Sequence, residues 1–293
     1  IASWLLLIAQ TLTHLGKEPH KVLQKYSLEL AHIKESPDQR IAIKTMTAIW
    51  QDIEQLTKRA DIGFLVAEHC QVQHFRALGF SLLASETVQD CLTRIENYAV
   101  SISSSVDVTL EYEPQGVAIC ILPKPYVEVS YLAMDAFILA THRLFKQLLH
   151  TEFTTQVEFI SPPRAHHAQR YFEHCEIKYN CEKYRYWLPQ DILNTSLALS
   201  DKHVAQLSDQ KLERYIEQEL SSERSSDLSS DLSSELSNKR SSELSNERSS
   251  KTSGQTSPPP KSPWINDVKR CIEYQIENGD ISASSIAQKL NMS

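Results

Sequence analysis

The sequence predicts an α+β domain over residues 1–205, built of helices plus antiparallel strands, and an all-α segment at residues 263–293. Three observations carry this. Apolar residues recur at helical spacing up to Tyr98, alternate with polar ones from Val106 to Tyr112, and regain the helical period through Trp264, Val268, Ile272 and Ile276. A period near 3.6 marks an amphipathic helix, and strict alternation marks a half-buried strand. Helices first and strands later, with some mixing, is the pattern of an α+β layer structure.

The elements follow in order. Residues 4–15 read as a helix with Trp4, Leu5, Ile8, Leu12 and Leu15 on one side, closed by Gly16. Glycine readily takes the left-handed conformation that ends many helices. A second helix is expected at 20–33 (Val22, Leu23, Tyr26, Leu30, Ile33) and is broken by Ser36-Pro37-Asp38. A third runs through Ile43, Met46, Ile49, Trp50, Ile53 and Leu56, and Asp61-Ile62-Gly63 reads as a turn. Ser85 stands where a hydroxyl would cap a helix through Val88, Leu92, Ile95 and Tyr98. Residues 106–122 form a hairpin about Pro114-Gln115-Gly116, and residues 130–149 return to helical spacing through Leu132, Phe137, Leu144, Phe145 and Leu148. Val157 and Phe159 sit on a short strand ended by Pro162-Pro163, residues 164–174 read as helical, and Ile177–Tyr179 and Tyr184–Leu188 as strands. Residues 203–220 continue as a helix out of the domain.

Composition narrows the function classes. An apolar content of 41% is enough for a real core. The formal net charge of -7 gives no overall basic footprint, so any nucleic-acid-binding part must be small. The six cysteines (Cys70, Cys91, Cys120, Cys175, Cys181, Cys271) lack the pairing of a secreted disulfide framework and read as reduced thiols of a cytoplasmic protein. The apolar run Ile1–Ile8 meets Gln10, Thr11, Thr13 and His14 too soon to span a bilayer, and has neither the flank nor the cleavage site of a signal peptide. A chain that begins without Met reads as a fragment. The six glycines (Gly16, Gly63, Gly79, Gly116, Gly254, Gly279) are too scattered for a phosphate-cradling loop, which disfavours P-loop enzymes and Rossmann dehydrogenases.

Residues 206–262 read as a helical exit and then a disordered linker. Ser-Ser-Asp-Leu recurs at 225–228 and 229–232, and Ser-Ser-Glu-Leu at 233–236 and 241–244. A leucine every four residues drifts about 40° around a helix per repeat, so no apolar stripe forms. Serine content this high cannot offset the entropy of ordering. A short interaction helix using Leu228, Leu232 and Leu236 is the alternative, and Pro258-Pro259-Pro260 ends the tract as a stiff spacer.

Order returns at residues 263–293. Pro263 suits a first helical position, Trp264, Val268 and Ile272 line one face, and Asn278-Gly279 closes the helix. Ser282 caps a second helix in which Ile286 and Leu290 face the core and the small Ala287 suits a close helix crossing. This is the first part of a helix-turn-helix. Ser293 would cap the recognition helix beyond it, and Ser282, Ser284, Ser285 and Ser293 are the candidate DNA-facing residues.

The run Ile281-Ser282-Ala283-Ser284-Ser285-Ile286-Ala287-Gln288-Lys289-Leu290-Asn291-Met292-Ser293 resembles the start of an AraC/XylS-type DNA-binding domain. The upstream domain resembles that family's arabinose-binding regulatory domain. The likeness rests on His14-Leu15-Gly16-Lys17-Glu18-Pro19, Asp38-Gln39-Arg40-Ile41, Ile62-Gly63, Leu78-Gly79-Phe80, Ser85–Leu92, Val157-Glu158-Phe159 with Pro162-Pro163, and Tyr171-Phe172. It implies two tandem helix-turn-helix units, a small-molecule effector pocket in the first domain, operator DNA as partner of the full-length protein, and dimerisation. Base readout lives on recognition helices, so residues 1–293 are expected to bind no operator specifically. The long serine-rich linker departs from the family and argues against rigid coupling. A stand-alone ligand-binding or dimerisation module is the competing reading.

The sequence holds other candidate sites. Phe137, Thr141, His142 and Tyr186 are the candidate pocket residues, with Tyr179, Tyr184 and Trp187 either lining it or packing the sheet. His166, His167, His174, Cys175 and Cys181 are the densest group of potential ligands, but their spacing fits no metal site, and neither metal nor other cofactor is expected. Glu111 and Glu113 fall on the solvated face of a strand and no G-x-S-x-G elbow occurs, so an enzyme is not expected.

Overall fold

The computed structural model describes residues 1–149, 153–163 and 168–218. Helix α1 (Ser3–His14) begins with the N–H groups of Ala2 and Ser3 donating to Gln39 O and Pro37 O, both at 2.8 Å. The segment before the third predicted helix thus caps the first. At its other end Gly16 has φ 68°, and Lys17 N–H reaches back to Leu12 O at 2.8 Å, the left-handed stop expected of this glycine.

The helix expected at 20–33 is two short helices, α2 (Pro19–Gln24) and α3 (Leu30–Glu35). Between them Ser27 has φ 56°, which no right-handed helix accommodates. Helix α4 (Ile43–Thr57) stops where Lys58 turns left-handed. The expected turn at Asp61-Ile62-Gly63 is instead the start of α5 (Ile62–Ala67). A Cβ on Gly63 would lie 2.3 Å from Leu132 O, so the glycine lets α5 approach the helix that carries Leu132, and is not there to bend the chain. Helix α6 (Arg76–Leu83) leads into α7 (Val88–Tyr98). The cap of α7 is Thr87, whose Oγ1 accepts from Asp90 N–H at 3.2 Å; Ser85 is buried and donates to Ser81 O.

Strands β1 (Val106–Glu113) and β2 (Gly116–Pro123) form the expected hairpin, followed by α8 (Tyr131–Leu149). Strands β3 (Thr155–Glu158), β4 (Cys175–Lys178) and β5 (Tyr184–Pro189) complete a sheet of order β1-β2-β5-β3-β4 among the described residues. The β3–β4 pair is parallel and the others are antiparallel, so the sheet of this α+β fold is mixed. Residues 164–167 lie outside the described residues. The remainder of the helix expected at 164–174 is one 3-10 turn, Ala168–Arg170, after which Phe172 enters the core and His174, at φ 59°, turns the chain into β4.

The register explains the burial. Val117, Ile119 and Ile121 stand opposite Leu188, Tyr186 and Tyr184, and Tyr186 also stands opposite Val157. This row faces α8, where Phe145 stacks on Tyr186 at 5.8 Å between centroids. On the other face Ala118 and Cys120 lie under Trp187 and Arg185. There Glu111 accepts from Lys183 and Arg185, and the Lys183 bond holds its carboxyl below the usual carboxylate range despite some burial.

The described chain closes with α9 over residues 202–218. Ala205 and Leu212 are buried. Arg94 on α7 bonds both oxygens of Asp209 at 3.1 Å, Ser81 on α6 donates to Asp209 at 2.6 Å, and Tyr98 donates to Glu213 at 3.0 Å. The serine-rich tract and every helix-turn-helix residue (Trp264, Val268, Ile272, Ser282, Ser284, Ser285, Ile286, Ala287, Leu290, Ser293) lie outside the described residues.

Candidate effector cavity

Helices α1, α4 and α8 converge without closing. Between them, and under the segments 40–43 and 102–106, is a cavity of about 290 Å³. Its walls come from large flat side chains that cannot fill the corner they share. Trp4 stacks on Phe137 with centroids 6.4 Å apart and planes 18° from parallel. Met46 and Trp50 on α4, and Ala133 and Met134 on α8, complete the apolar lining.

The polar groups are few and grouped. Ser103, Ser104 and Ser105 lie side by side on the loop before β1, and Ser130 stands at the start of α8. Ser130 accepts from Leu132 N–H through its hydroxyl and from the N–H groups of Ala133 and Met134 through its carbonyl, so it is fixed as the cap of that helix. Thr47 also lines the cavity, and its hydroxyl donates to Glu128 O at 2.8 Å. Arg40 is the one charged side chain on the lining among the described residues, and no Asp, Glu, Asn or Gln lines it. Its Nη2 donates to Val100 O at 2.8 Å, and the guanidinium lies 5.8 Å from the centre of the Tyr215 ring on α9.

The four residues singled out from sequence divide between two places. Phe137 lines the cavity. Thr141 lies one helical turn on and donates to Phe137 O at 2.9 Å. His142 is five positions from Phe137, about 140° around the helix, and faces the sheet instead. Its Nδ1 meets Tyr186 Oη at 3.1 Å, and both rings are buried. Burial, with Lys146 and Arg143 nearby, lowers the His142 pKa from 6.5 to about 4, and burial raises that of Tyr186 well above 10.0. Both groups are therefore held in their neutral forms, joined by one hydrogen bond. His142 also edges a separate hollow of about 230 Å³ lined by Arg143, Lys146, Arg170, Glu68 and Glu173.

Sequence reasoning missed Trp4, Arg40, Met46 and Trp50 as cavity residues. A signal was present in Arg40, a single cation beside Ile41 in a stretch already noted for its family likeness. Of the potential metal ligands, His166 and His167 lie outside the described residues, Cys175 is buried with Sγ 3.8 Å from His142 Nδ1, and no group of three or more His, Cys, Asp or Glu among the described residues could hold an ion.

Comparison with known proteins bears on the whole domain. Residues 16–197 match the family described as the arabinose-binding domain of AraC transcription regulator, N-term. The chain belongs to this AraC regulator family. Its members' domain here takes in Arg40, α4, α8 and the entire sheet, while Trp4 on α1 and Tyr215 on α9 lie outside the matched segment. Among curated proteins there is no match. A crystal structure of the transcriptional regulator CdpR from Pseudomonas aeruginosa is similar with 18% identity and a TM-score of 0.46, over 55% of this chain and 53% of that one. The chain thus spans about half the length of that solved relative. No helix among the described residues of this AraC-type chain is long and apolar enough to cross a membrane.

Proposed function

We propose that this chain is the sensing part of a cytoplasmic transcription regulator, with residues 1–205 binding a small effector in the cavity between α1, α4 and α8. Family membership supports regulation, not catalysis. The observation that carries the site is the cavity itself. It is near the small end of the ~300–1,000 Å³ usual for ligand clefts, and joins apolar walls to a few clustered polar groups, as such sites do. In this reading residues 206–262 are exit helix and linker, residues 263–293 begin a helix-turn-helix, and the full-length protein binds operator DNA, as a dimer.

The family's name points to a sugar. The lining here favours a different chemistry, because among the described residues it holds none of the carboxylates and side-chain amides that pair with a polyol's many hydroxyls. An apolar-bodied effector fits better. A ligand that binds one state of the domain more tightly shifts its population towards that state.

The test is thermal denaturation of the full chain with arabinose and with a set of apolar-bodied small molecules, repeated on Ala133→Phe. Anything that binds only the folded form raises its melting temperature. A shift given by an apolar-bodied compound and lost in Ala133→Phe is the expected result. A ligand whose shift survives in Ala133→Phe binds elsewhere, and that outcome defeats the assignment of this cavity.

A further inference from the structure

Arg40 faces two ways. Arg40 is part of the cavity lining, and its guanidinium lies against Tyr215 of α9, the helix that leaves the domain. The residues just before Arg40 are held by several bonds. Pro37 O and Gln39 O take the first N–H groups of α1, and Asp38 binds the buried Arg76 side chain through two bonds of 2.6 and 3.1 Å. Asp38, Arg76 and Tyr215 all line a second cavity of about 190 Å³, beneath α9. Residues 38–40 therefore form the wall between the place where a ligand would sit and the seat of the exit helix.

We propose that the effector is an amphipathic carboxylate whose anionic head is bound by Arg40, and that Arg40 reports its presence to α9 by loosening its contact with Tyr215. This rests on the cavity reading above and adds the ligand's charge and the route of the signal. A carboxylate taken into an apolar site needs a cation and further donors to replace its water. Arg40 supplies the cation in a planar fork matched to two carboxylate oxygens, and Ser103, Ser104 and Ser105 supply hydroxyls on the same rim. The apolar body then lies against Met46, Trp50 and Phe137. A guanidinium turned to meet a carboxylate in the cavity is drawn off the Tyr215 face, and α9 loses one of the contacts that seat it.

Octanoate and octan-1-ol are matched probes, alike in apolar body and different in charge. The wild-type full chain is expected to bind octanoate about tenfold more tightly than octan-1-ol. Hydrogen exchange of the amides in 203–218 should become about two- to fivefold faster with octanoate. Arg40→Gln removes both the preference and the exchange response. Arg40→Lys keeps a cation without the planar stacking group, so it retains the preference and loses the response. Tyr215→Ala, which leaves the lining untouched, retains octanoate binding while exchange of α9 no longer depends on it. Circular dichroism shows that each variant is folded. Equal binding of the two probes, or of neither, overturns the anionic head. An exchange response that persists in Arg40→Gln or Tyr215→Ala overturns the relay. If neither probe binds but another ligand does so in an Ala133-dependent way, the cavity assignment stands and this proposal alone fails.

Discussion

His142 shows how a residue picked out for binding serves folding instead. It lies 3% exposed between α8 and β5, with Tyr186 Oη as its partner. Its pKa falls from 6.5 in an open chain to about 4 in the fold, burial being the main cause. The sign follows from proton uptake. Between those values the unfolded chain carries the extra proton, so stability rises with pH across the window and is lost as pH falls from 6.5 towards 4. The full effect is on the order of 3 kcal/mol. His142→Gln offers Tyr186 an amide oxygen and cannot titrate, so its unfolding free energy should fall less steeply over that window than the wild type's. Denaturant melts of both chains at a series of pH values measure the difference; parallel curves would show that His142 is not the group responsible. Arg40 is the converse case. Its local sequence reads as an ordinary loop cation, and only the fold sets it between a cavity and a distant aromatic ring.

Elements were legible where their pattern is long and local. Helix α4, helix α8 and the β1–β2 hairpin follow from periodicity and turn chemistry that the residues themselves carry. The failures have two physical causes. At Ser27 the backbone turns left-handed for no residue-type reason, since serine has no special tolerance for it, so one apolar period yielded two short helices. At Gly63 the error runs the other way. A glycine between Asp61 and apolar residues looks like a bend, but its missing side chain serves a contact with Leu132, far along the chain. Helix α5 lies so close to α8 there that Gly63→Ala should destabilise the domain by about 1–3 kcal/mol, the usual cost of overpacking. The obstacle is a carbonyl oxygen, so truncating Leu132 in the same chain should give no rescue. Chemical denaturation of the single and double variants decides it: recovery in the double variant would place the clash on the side chain. The cavity was hidden for the same reason as the Gly63 contact. Its walls come from α1, α4, α8 and the loop before β1, and no local pattern records their meeting.

At the scale of the molecule the question is how firmly the exit helix belongs to the domain. Sequence reading treats residues 203–220 as a way out, and the fold gives α9 a seat of its own. That seat has an apolar part, with Ala205 buried and Ile216 packed against the core, and a polar part. Leu212 is buried, but Asp209 gathers Arg94 and Ser81, and Glu213 takes the Tyr98 hydroxyl. An element held this way can open without unfolding the core, because the apolar row between α8 and the sheet does not depend on it. Asp209→Ala removes the shared acceptor and leaves the mostly buried Arg94 without that carboxylate, at a cost of about 1–3 kcal/mol. The loss should fall on local opening. Amides across 203–218 are expected to exchange about tenfold faster or more, and those of α8 and β2 to keep their wild-type rates. Hydrogen exchange read by mass spectrometry separates the two sets. Equal acceleration in both would mean that α9 unfolds only with the whole domain, and a helix of that kind could not carry a signal from the domain to whatever follows it.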